Sequence, residues 1–239
     1  VQGDNFRDRE ITENLSLEKQ NLLPRSSYLY FDKTLNDSDQ RERLIEGYNL
    51  FASTQTGRRL LELLEPTIHE RNARISLSIG DSSYGSAAQN GIATRSPDLV
   101  GYIRFNEEFT KQNPIEEIAV TFANELFDQM GLLGNTSPFS DLGILTISPQ
   151  YQLLGMVLND TIREELLALK ENRQPKSIDL RNYIQSSPYY ALSVPTFIGA
   201  EFSEEQITRL NELSALVTRG EYPTFQQILE QVNPYMNNL

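Results

Sequence analysis

Hydrophobic residues recur at three- and four-residue intervals through the first half of the chain, the spacing of helices that bury one face. Leu44, Ile45, Tyr48 and Phe51 share one side of a helix that Asp37 or Ser38 can cap. Leu60, Leu61 and Leu64 share one side of the next, with Thr54 or Thr56 as its cap, and Pro66 is expected to end or kink it. The period then changes to two. Arg74-Ile-Ser-Leu-Ser-Ile79 alternates polar and apolar, as a strand with one face on a core does. Residues 80–98 are rich in Gly, Ser, Asn and Asp and predict a long loop holding at most short edge strands. A second strand is predicted from Val100 to Phe105.

Helical spacing returns at residue 114. Asn113 suits the N-cap, Pro114 the first helical position and Glu116 the acid of a capping box. Gly131 suits a left-handed stop, so a helix over 114–130 is predicted. At about 100° per residue, Ile115, Ile118, Ala119, Phe122, Ala123, Leu126 and Met130 make one broad apolar face, and Val120 and Phe127 widen it. Such a helix is expected to be buried on most sides. Its narrow polar strip is Glu117, Thr121, Asn124 and Asp128, flanked by Glu125; Asn124 and Asp128, four apart, project together. Gly and Pro crowd 131–149, a long helix is predicted over 151–172, and Ser203 and Thr224 can open further helices over 203–219 and 223–232. Few strands and many helices predict an α+β fold, mostly helical.

Composition changes the picture mainly by exclusion. The 239 residues include no cysteine and a single histidine, His69. Disulfides, thiolate metal sites, cysteine nucleophiles and histidine-ligated zinc are therefore outside this chain's chemistry. A net charge of −12 argues against nucleic-acid binding and against anionic membranes, and no apolar run is long enough for membrane insertion. A protein or peptide partner remains open. Because the sequence starts at Val1, a processed product is expected, with a secreted or periplasmic location among the options. Asn14-Leu15-Ser16 and Asn36-Asp37-Ser38 match the glycosylation pattern, which is too short to carry weight.

The stretch Ala123-Asn124-Glu125-Leu126-Phe127-Asp128 resembles the Ala-His-Glu-Leu-x-His of HExxH zinc peptidases. In those enzymes two histidines hold zinc from one face of a central buried helix, and the glutamate is general base on the zinc-bound water. The surroundings resemble NleD-type bacterial effector peptidases. There a helix beginning Thr-Gly-Arg-x-Leu-Leu, a strand, a Gly/Ser-rich loop and a second strand lead into the metal helix. Here the corresponding segments are Thr56-Gly57-Arg58-Arg59-Leu60-Leu61, residues 75–79, 82–91 and 101–106, so that the resemblance spans roughly 54–170. It implies a zincin-like fold with a small β-sheet packed on the 114–130 helix. It divides the chain into an N-terminal arm (1–37), a zincin-like core (38–175) and a C-terminal helical extension of the same domain (176–239). It also implies a third ligand from a later helix, for which Glu164 and Glu165 are the candidates.

The departure from that pattern decides the expected chemistry. Asn124 and Asp128 stand where the histidines would, leaving oxygen donors that suit loosely held Ca²⁺ or Mg²⁺ but not tight zinc. Without zinc, Glu125 has no water of lowered pKa to use. The first reading is thus a non-catalytic metallopeptidase-like protein, needing no cofactor, that keeps a peptide- or protein-binding cleft at Asn124, Asp128, Glu164 and Glu165. The second is a carboxylate-based hydrolase with Glu125 as the catalytic residue, in which Asn106-Glu107-Glu108 could supply a partner acid. The third is an interaction protein whose polar stripe faces water. His69, at a helix end, reads as a structural residue. Gly80-Asp81-Ser82 only weakly resembles an esterase nucleophile turn. The Pro-flanked aromatics of 187–190 and 194–198 read as loop packing, or else as an exposed protein-binding patch.

Overall fold

The computed structural model describes residues 21–81, 86–95, 98–133 and 149–176. The order is β1 (Leu29–Phe31), α1 (Ser38–Ser53), α2 (Gln55–Glu70), β2 (Ala73–Gly80), β3 (Ala88–Arg95), β4 (Asp98–Asn106), α3 (Glu107–Gln112), α4 (Ile115–Leu133) and α5 (Pro149–Glu171). The four strands form one mixed sheet in the order β1-β2-β4-β3. β1, β2 and β4 run parallel, while β3 pairs antiparallel with β4 and forms the edge of the sheet opposite β1 among the described residues. The chain is therefore mixed α/β with a small sheet. The expected helices at 203–219 and 223–232, the Pro-flanked aromatics and Ser82 lie outside the described residues.

Capping and burial explain the helices. The Asp37 carboxylate accepts from the amides of Asp39 and Gln40 and starts α1. Thr54, rather than Thr56, starts α2 by accepting from Gly57 N–H at 2.9 Å. Of the two outcomes expected at Pro66, an end or a kink, the end is overturned, because the helix runs on to Glu70 and seats Ile68 in the core. Gly131 likewise fails to stop α4, which continues to a fully buried Leu133. In both helices a core position beyond the breaker outweighs the breaker, which costs about 1 kcal/mol for glycine and about 3 for proline.

Alternation in the strands held where the side chains are apolar. Ile75, Leu77, Ile103 and Phe105 are all fully buried on the face that meets the helices. The Gly- and Asn-rich stretch predicted as a long loop instead holds the eight-residue strand β3. Its inward positions include Ala88 and Asn90, whose small or polar side chains give no hydrophobic alternation to read. Leu29 and Phe31, from the segment expected to be an N-terminal arm, are buried in the sheet as part of β1.

α4 is the centre of the fold, packing against α1, α2, α5, β3 and β4. A run of aromatic contacts joins α4 to two of its neighbours: Phe105 of β4 lies 4.9 Å from Phe122, and Phe122 lies 5.6 Å edge-on from Tyr48 of α1. Two glycines let α4 approach closely. A β-carbon at Gly47 of α1 would strike the Ile118 side chain, whose own Cβ would be 2.9 Å away. One at Gly101 of β4 would strike the amide of Gln129, which is fully buried and donates to the carbonyls of Gly91 (2.9 Å) and Tyr102 (3.1 Å).

Gly47→Ala sets two effects against each other. Helix propensity favours Ala by about 1 kcal/mol, while overpacking against a stiff β-branched side chain costs about 1–3 kcal/mol. We expect net destabilisation, seen as a lower urea midpoint at unchanged m-value, and partial recovery in the double variant with Ile118→Ala.

Candidate functional site

Asn124, Glu125 and Asp128 of α4 do not face open water. Asn159 of α5 donates from its Nδ2 to Asn124 Oδ1 at 3.1 Å, and Asn124 Nδ2 donates to Glu125 Oε1 at 3.2 Å. From the other side, Asn90 of β3 donates its Nδ2 to Glu125 Oε2 at 2.5 Å and to Asp128 Oδ2 at 3.1 Å. Five side chains thus form one hydrogen-bonded chain from α5, across α4, to the edge strand. The register of β3 explains why Asn90 is the residue that reaches in: it shares its inward face with the buried Ala88, opposite Ile103 and Phe105 of β4.

Burial dominates the electrostatics. Glu125 is only 5% exposed, and desolvation holds its carboxyl above the usual range although Asn124 and Asn90 pull it back. Asp128 is pushed up to about 7, first by burial and then by the charge of Glu125, against the opposing bond from Asn90. Among the described residues no lysine or arginine pairs with either carboxyl. Burial thus raises both carboxyls, and the charge of Glu125 adds to the rise at Asp128.

Glu164 and Glu165 are elsewhere. α4 and α5 cross antiparallel, with Arg163 on Glu117, Asn159 on Asn124 and Gly155 against Phe127. Glu164 and Glu165 therefore sit level with Glu117, eleven residues before Asp128, which is ~16 Å along the helix axis. Each has its own partners. Glu164 pairs with Arg173 at 2.5 Å and accepts from Lys176 N–H at 2.7 Å, contacts that hold its carboxyl below the usual range. Glu165, 6% exposed, accepts from the amides of Gln55 (3.1 Å) and Thr56 (3.2 Å) at the start of α2, while burial raises its pKa. It is a helix cap supplied by another helix.

Other candidates separate from the cluster. His69 is exposed in the last turn of α2, 3.5 Å from Glu65. Asn106 caps α3, Glu107 meets Lys111 and Gln40, and Glu108 meets Gln112. Among the described residues no group of three or more His, Cys, Asp or Glu is arranged to hold a metal ion. The oxygens nearest to such a role are the carboxyls of Glu125 and Asp128. Among the described residues no helix is long and apolar enough to cross a membrane.

Two site residues, Asn90 and Asn159, escaped the sequence reading. Asn159 carried a usable signal, since it falls on the face of α5 that also holds Ile162 and Leu166, where a polar residue needs a partner. Asn90 carried none, because its segment reads as loop. No protein-family model matches the chain, and neither does any curated protein or solved structure.

Two measurements follow from this geometry. Asp128 binds its proton more tightly when folded, so between its ordinary 3.8 and about 7 the native state holds a proton that the unfolded state has released. Its contribution to stability falls as pH rises through that window, by at most about 1.4 kcal/mol per unit, and levels off above it. Asp128→Asn should remove this slope, so that the variant gains on the parent chain steadily between pH 4 and 7 in urea titrations. A parallel pair of curves would overturn the assignment. Separately, Glu165→Ala should cost about 1–3 kcal/mol by leaving buried amides unbonded, and Glu165→Gln, which keeps an acceptor oxygen, should recover most of that in thermal melts.

Proposed function

We propose that this chain is a non-catalytic, metallopeptidase-like protein that binds an extended peptide or protein segment along its edge strand. The observation that carries the reading is the grip of Asn90 on both Glu125 and Asp128, which makes β3 and the motif-bearing helix one unit. Further support comes from the small sheet packed on a buried central helix that bears Asn124-Glu125-Leu126-Phe127-Asp128. The missing histidines leave only oxygen donors at these positions, which favours at most a loosely held divalent cation.

The edge itself suits strand addition. Asn106 N–H donates to the Ala87 carbonyl at 2.8 Å, and antiparallel alternation from that pair turns the main-chain groups of Ala88, Asn90 and Ile92 outward. A ligand strand could bond to them, with Ile92, 39% exposed, offering an apolar contact.

The carboxyl pair favours one competing reading, a hydrolase in which Asp128, near 7, and Glu125 act as acid and base. The burial of Glu125 weighs against it, because a base has to reach its substrate. Metal analysis with calorimetry, a peptide-array screen and a turnover assay separate the two. We expect no stoichiometric tight zinc, peptide binding that Ile92→Pro abolishes while the fold persists, and no turnover. Tight zinc would sink the non-catalytic reading, as would peptide hydrolysis lost in Glu125→Gln. Binding untouched by Ile92→Pro would sink the edge as the docking site.

A further inference from the structure

We draw no further inference here: the strongest candidate, the Glu125–Asp128 carboxyl pair gripped by Asn90 beneath β3, belongs to the site already described.

Discussion

Glu125 sits on a helix packed by three other helices and two strands, with 5% of its surface left to water. A bare ionised carboxyl in such a place costs several kcal/mol. A hydrogen bond from a neutral amide contributes on the order of 1 kcal/mol net, so two of them cannot offset that cost alone. Burial accordingly shifts both Glu125 and Asp128 towards their neutral forms, and Asn90 bonds the two groups together. Those bonds tie the edge strand to the helix. One residue further on, Gln129 bonds the Gly91 carbonyl, so α4 holds β3 at two successive positions. The strand's register is thereby fixed from the helix side as well as by its ladder to β4.

The direction in which α5 crosses α4 controls what the cluster can become. Arg163 bonds both Glu117 and Asp160, which anchors the C-terminal half of α5 to the N-terminal half of α4. Any residue after Asn159 on α5 moves away from Asp128, not towards it. Glu165 is then free to satisfy α2, and its carboxyl, α2's first turn and the Thr54 cap lock three helices at the end of the molecule far from the cluster. A third acid could join Glu125 and Asp128 only from a residue ahead of Asn159 or from another element. Among the described residues the acidic set is two carboxyls, whose four oxygens are fewer than the six to eight that Ca²⁺ collects.

Sequence pattern read the parts of this fold where apolar side chains set the period. α1, α2, α4 and α5 and the inward faces of β2 and β4 follow from Leu44, Leu60, Ile75, Phe105 and Phe122, each of which buries the surface its spacing predicts. It failed where the period is carried by small or polar groups. β3 is stabilised by its ladder, by Gln129 and by Asn90, none of which leaves a hydrophobic trace in Ala-Gln-Asn-Gly-Ile. The short helix α3 was missed for a related reason: at six residues it has no apolar stripe, and it forms because Asn106 caps it and Arg43 bonds the Thr110 carbonyl at its far end. At the site, Asn124, Glu125 and Asp128 were legible from a motif resemblance and their helical spacing. Their partners were not, because Asn90 and Asn159 are separated from them by about 35 residues on either side and are brought in only by tertiary packing.

The composition of the cluster bears on which reading of the helix is chemically coherent. Two imidazoles at positions 124 and 128 would each present one nitrogen to a metal and donate from the other. Asn124 and Asp128 are instead matched to amides: Asn159 donates to the first, Asn90 to the second, and both of these partners lie on elements that flank the helix. The four polar residues around Glu125 are linked to one another or to Glu125 by hydrogen bonds, although the buried Asn159 Oδ1 finds no partner among the described residues, and the strip that would face a metal is occupied in holding α5 and β3 to α4. A site organised in this way offers little to a reacting group, because Glu125 is buried and already accepts two bonds. What it does supply is rigidity directly beneath β3. An edge strand whose register is pinned loses less conformational freedom when a partner strand pairs with it, so under the proposed reading the polar network that ties down Glu125 is the same one that would prepare the edge for binding.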